Sequence, residues 1–298
     1  MKRKLVKQGS ATMMISLPSK WVKANSLDKG DEIDIEELGK DIIISSSHKE
    51  KKSETSIKLI GLTESSIRTL ITNTYRLGYD KINVEFENNE QLDILKNTIE
   101  KNLIGFEITK KQAKSLVVEN ITEPSSEQFE NILNKIFLST EELFEVTKRR
   151  LSGQDEDYKE VCQRIQKYDN FCRRIIIKRK LIEKNSEMFW AFLSSVIRGG
   201  REIYYLNKLI KPKIKISKET IELLEGSSNI FRILIETLKE KSVEKLNKVH
   251  ELEKEYLFKR AYSVIEKTKG KESLIVFRIS SSIRQFYLAV SPLSSLIL

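Results

Sequence analysis

Two cysteines, two histidines, two tryptophans and four prolines in 298 residues leave several kinds of chemistry without material. Cys162 and Cys172 stand ten positions apart in a helical stretch and so point to different faces. Neither a disulfide framework nor a zinc site follows from them. His48 falls in a polar stretch and His250 on a helix beside Glu251, with no serine or cysteine motif for either to activate. A Walker loop, a G-x-S-x-G elbow, an H-E-x-x-H pair and a dinucleotide fingerprint are all missing. The expectation is a protein that is not an enzyme and needs no cofactor. No run of about 20 clean apolar residues is present for a membrane span. Leu274–Leu298 comes nearest, but Arg278, Arg284, Gln285 and several serines mark it as a buried helix. Ala11–Leu17 is too short for a signal sequence and is followed by Lys20 and Lys23. A cytoplasmic protein without membrane insertion is expected.

What the chain does have is charge, unevenly placed. Its net charge is +10, which favours an anionic partner without identifying one. Residues 1–27 hold Lys2, Arg3, Lys4, Lys7, Lys20 and Lys23 and no acid. Residues 28–41 hold seven acids against Lys29 and Lys40. Lys4–Gln8 and Thr12–Leu17 read as short strands around a Gly9-Ser10-Ala11 turn. Pro18 lacks an N–H and can only open a helix, which is expected to run to about Asn25. Glu32–Glu37 and Asp41–Ser46 form a second, acidic strand pair around Gly39-Lys40. So small a segment buries little surface alone, and pairing with a second copy would set two basic ends side by side.

The basic first strand, the Gly turn, the SLPSKWV junction at Ser16–Val22 and the L-x-x-G-D-x-I turn at Leu27–Ile33 resemble the AbrB/MazE-type swapped-hairpin DNA-binding domain. In that family two chains interleave their strands into one barrel. The resemblance covers residues 1–48 and implies a homodimer through residues 1–46. By position it implies that Arg3, Lys4, Lys7, Ser10, Lys20 and Lys23 face DNA. The arm from Gly9 to Pro18 is longer than in the short bacterial form, so individual base contacts do not transfer.

Ser47–Ser56 is polar, charged and aperiodic and reads as a linker. Residues 55–121 read as β-α-β-α-β-β, a small α/β domain with Thr63 capping its first helix and Gly78 closing it. A ligand-sensing domain, or a spacer or dimerisation domain, is expected. Residues 124–298 carry apolar side chains three and four apart, which predicts six helices. They are placed near Glu127–Leu151, Asp157–Lys184, Glu187–Ile210, Lys218–Lys241, Val243–Lys269 and Lys271–Leu298. The halves, 124–211 and 216–298, match in length and order, as in an internal duplication. Two antiparallel three-helix bundles joined end to end are expected. The fold class is therefore multidomain α+β: a dimeric β-barrel, a small α/β domain and an all-α pair of bundles.

That helical layout behind a swapped-hairpin domain resembles the PhoU-like phosphate uptake regulators of archaeal type. Such domains hold metal clusters on acidic pairs, but here the pairs are eroded. Only Asp169 marks the first; Arg198 with Glu202 and Arg278 with Ser282 occupy two others; Glu251 and Glu255 alone keep the spacing. No metal cluster is expected, and Glu251 and Glu255 are weak candidates that also suit a solvated helix face. Phe171–Lys184 carries Arg173, Arg174, Lys178, Arg179 and Lys180, which suit an anion or acidic partner, or else flank the Ile175-Ile176-Ile177 core contacts.

Two readings follow. One is a dimeric DNA-binding transcriptional regulator, with the helical part as sensor or partner dock; the resemblance implies phosphate uptake or phosphate signalling, with a phosphate transporter or signalling protein as partner. The other is a protein-binding adaptor, a transporter modulator or an antitoxin-like inhibitor. Its ordered helical domain weighs against the antitoxin form.

Overall fold

The computed structural model describes residues 2–9, 12–38, 41–46, 53–122, 128–179, 185–211 and 214–298. Ser10 and Lys180, both singled out above, lie outside them, as does the side chain of Arg179. The chain divides into two compact units, residues 1–53 and 54–298.

The first unit contains β1 (Val6–Gln8), β2 (Thr12–Met14), α1 (Ser19–Ala24), β3 (Ile33–Leu38) and β4 (Asp41–Ser46). β1 pairs antiparallel with β2, and β3 with β4, as two separate two-stranded sheets within the one chain. The first strands are shorter than the sequence suggests, and Pro18 sits just outside α1 in extended backbone rather than within it.

The second unit begins with β5 (Glu54–Lys58), α2 (Glu64–Arg76), β6 (Lys81–Glu85), α3 (Asn89–Asn102), β7 (Phe106–Lys111) and β8 (Ser115–Asn120). Their sheet has the order β5-β6-β8-β7, with β5 and β6 parallel and the other pairs antiparallel. Alternation decides the faces: Ile82, Val84, Leu116 and Val118 point to one side and are buried with Ile67, Ile71 and Leu95 of the two helices. The caps are the ones the residue types favour. Thr63 Oγ1 accepts from the Ser66 N–H and Asn88 Oδ1 from the Gln91 N–H.

The helices are α4 (Phe129–Leu151), α5 (Tyr158–Arg179), α6 (Ser186–Leu209), α7 (Lys218–Glu240), α8 (Val243–Glu253), α9 (Tyr262–Lys267), α10 (Lys271–Leu288) and α11 (Val290–Ile297). Two depart from the predicted set. The fifth predicted helix carries a π-helical stretch, Lys254–Ala261, between α8 and α9. The sixth breaks at Ala289, so that Pro292 falls in the first turn of α11, where its missing N–H costs no hydrogen bond.

The end-to-end arrangement of two bundles also needs correcting. One continuous apolar core runs from Phe129 to Leu293 through both halves. α6 and α10 lie antiparallel side by side, with Arg278 bonded to Glu202 at 2.8 Å and Ser282 Oγ donating to the Gly199 carbonyl at 3.0 Å. Gly199 is what permits this approach, since a Cβ there would stand 2.3 Å from the Phe286 ring. At Gly200 the nearest atom would be 3.8 Å away. Gly199→Ala is therefore expected to destabilise the chain by about 1–3 kcal/mol through overpacking, despite the helix preference of alanine. Gly200→Ala should be neutral or stabilising by up to about 1 kcal/mol. Urea denaturation of the two variants checks the opposite signs.

Candidate nucleic-acid interface

The N-terminal unit exposes its cations. Arg3, Lys4 and Lys7 lie on and before β1, and Lys20 and Lys23 one turn apart on α1. All five side chains are exposed, and none enters an ion pair among the described residues. Gly9 turns the hairpin at φ +74°, a conformation that favours glycine. α1 ends where Asn25 donates from Nδ2 to the Trp21 carbonyl at 2.9 Å. The hydroxyl of Ser46 donates to Asn25 Oδ1 at 3.1 Å, tying the end of β4 to the end of α1. The acidic turn closes on itself, the Asp28 N–H donating to Asp31 Oδ2 at 2.7 Å. Basic and acidic surfaces are thus held on separate elements of one small unit.

The described residues of this unit bury little. Among its described residues Leu27 is the one buried hydrophobic side chain. Leu5, Val6, Met13, Met14, Ile15, Ile35 and Ile42 are between 43% and 64% exposed. Covering these seven would contribute on the order of 10 kcal/mol before the entropy of ordering is subtracted.

The basic stripe of α5, which suits an anion or acidic partner or else flanks core contacts, is in large part buried. Arg173 and Arg174 are buried. Arg173 Nε donates to Asp169 Oδ1 at 2.8 Å, and its guanidinium lies over the Trp190 ring. Arg174 reaches into the α/β layer. Its Nη1 donates to the carbonyls of Tyr75 and Tyr79 at 3.0 and 2.8 Å, and its Nη2 to Asp80 Oδ1 at 2.8 Å. Lys178 meets the same carboxylate. From the other side Arg76 of α2 donates to Asp169 Oδ2 at 2.9 Å and to Asn170 Oδ1. Asn170 in turn donates to the Asn102 carbonyl at 3.0 Å. These residues join the α/β layer to the helices and are committed within the chain. Burial holds the Arg76 guanidinium below its usual range, although Asp169 opposes the shift. The sequence pattern of Arg174 gave no sign of this, because its partners lie 94 to 99 positions away.

The eroded acidic positions are likewise occupied by internal bonds. Asp169 is shared by two arginines, Glu202 is held by Arg278, and Ser282 links Ser227 to Gly199. Glu251 pairs with Lys248 at 3.0 Å and Glu255 with Arg260 at 2.8 Å, on separate cations. These donors do not fit a clustered metal site. His250 packs edge-on against Tyr287, and His48 lies outside the described residues. Burial pushes the Cys162 thiol up to about 12 and raises Cys172 as well. Among the described residues no helix is long and apolar enough to cross a membrane.

No curated protein and no solved structure matches the chain. Residues 6–54 match the family model described as antidote-toxin recognition MazE, bacterial antitoxin, and the match stops at the boundary between the two compact units. The N-terminal unit is MazE/AbrB-like, and a mostly helical part follows it.

Proposed function

We propose that the protein is a dimeric DNA-binding transcriptional regulator whose N-terminal units pair to form the DNA-contacting surface. The observation that carries this reading is the combination of five exposed cations, without an ion pair among the described residues, and seven uncovered apolar side chains in one MazE/AbrB-like unit. The apolar side chains call for a second copy, and the cations for phosphates. Two-fold symmetry would then select a palindrome-like site, with Arg3, Lys4, Lys7, Lys20 and Lys23 on phosphates. The helical part acts as sensor or partner dock. A role in phosphate uptake or signalling rests on the layout of residues 124–298 alone.

A second reading, an antitoxin-like adaptor, is favoured by the description of the matched family as toxin antidotes. Salt separates the two. Binding to the chain's own upstream DNA is expected to exceed binding to random DNA, to weaken steeply with salt and to vanish on deleting residues 1–46. Light scattering at micromolar concentration should report a dimer. A monomer, or binding without preference for any DNA, would move the weight to the adaptor.

A further inference from the structure

A cleft of about 610 Å³ opens where the α/β layer meets the helices, walled by α2, α5 and α6. Its volume falls in the range of small-ligand sites. Leu143, Ile165 and Ile197 give it an apolar floor. Arg68 enters from α2, Lys159 from α5 and Arg201 from α6. Arg68 is engaged by Glu64 one turn away. Lys159 and Arg201 are exposed and make no ion pair among the described residues. The one carboxylate in the lining, Asp169, already serves Arg76 and Arg173. Positive charge is therefore in excess at this place, and the charge of Arg201 reaches Arg76 behind the wall. A concave surface with uncompensated guanidinium and ammonium groups concentrates anions.

We propose that this cleft binds a small organic anion, a phosphate ester or carboxylate carried on an apolar body. Arg201 and Lys159 take the anionic group, Arg201 through its planar fork. The apolar body lies on Leu143, Ile165 and Ile197. Such a ligand is held by α4, α5 and α6, beside the Arg76–Asp169 contact that joins the α/β layer to the helices. The site belongs wholly to residues 54–298, and its existence does not depend on the DNA-binding reading.

The test is calorimetric titration of the full chain with 1-naphthyl phosphate, and with 1-naphthol as its neutral counterpart. Saturable binding at one site per chain is expected for the phosphate, with the neutral compound at least about tenfold weaker. Arg201→Ala should weaken naphthyl phosphate by about tenfold or more. Arg198→Ala, an exposed arginine on the same helix outside the cleft, should leave it unchanged. Circular dichroism confirms that both variants are folded. Absence of saturable binding, equal affinity for the two compounds, or equal effects of the two substitutions would each overturn the proposal.

Discussion

Arg174→Met is expected to lower the stability of residues 54–298 by about 3–5 kcal/mol, the range seen when one member of a buried charge pair is removed. The side chain is 1% exposed and lies over the rings of Tyr75 and Phe106. Its guanidinium satisfies two carbonyls at the C-terminal end of α2, where the helix carries partial negative charge, and one oxygen of Asp80. Methionine fills the same space but offers no donor, so two backbone oxygens lose a partner and Asp80 faces one cation fewer. Arg174→Lys keeps the charge without the planar fork and should lose roughly half as much. Urea unfolding monitored by circular dichroism measures both. In a double-mutant cycle with Asp80→Asn the coupling should exceed about 1 kcal/mol. A loss below about 1 kcal/mol for Arg174→Met would show that the joint between the two layers is held by packing alone.

Lys20→Glu combined with Lys23→Glu should weaken DNA binding by about a hundredfold or more near 0.1 M salt. Both side chains are exposed on a six-residue helix that contains no buried residue, so the substitution leaves the fold intact. In a dimer the change removes about four phosphate contacts. The slope of log affinity against log salt should then become shallower by about 3–4. The slope matters more than the affinity, because it counts contacts rather than reporting a general loss. An unchanged slope would take these lysines out of the interface. Fluorescence anisotropy over a salt series gives both quantities.

How far the sequence reaches depends on the range of the interaction. Local features are legible: the alternation of Ile82 and Val84, the capping residue Thr63 and the turn at Gly9 each act within a few positions. The cation-rich start is legible too, because exposure is the ordinary state of lysine. Arg173 and Arg174 show where this fails. An Arg-Arg pair beside three isoleucines suits a solvated stripe equally well, and what decides is Asp80 and Tyr75, brought near by the docking of α5 on the α/β layer. The break at Ala289 and the π-helical stretch at Lys254–Ala261 are similarly unmarked by periodicity, since the apolar spacing continues through both. The cleft is composed of residues from four helices and has no contiguous signature at all.

The two thiols, Cys172 buried and Cys162 half-buried, have a practical consequence. Burial raises Cys162 to about 12 and shifts Cys172 in the same direction, so little thiolate is present at neutral pH. Maleimide and iodoacetamide reagents attack the thiolate, so both natural cysteines are expected to react slowly with them. A single cysteine placed on the exposed face of α1 would therefore accept a fluorophore or spin label selectively, with both natural cysteines left in place. Distances between two such labels would report directly on how two copies of the chain are arranged in solution.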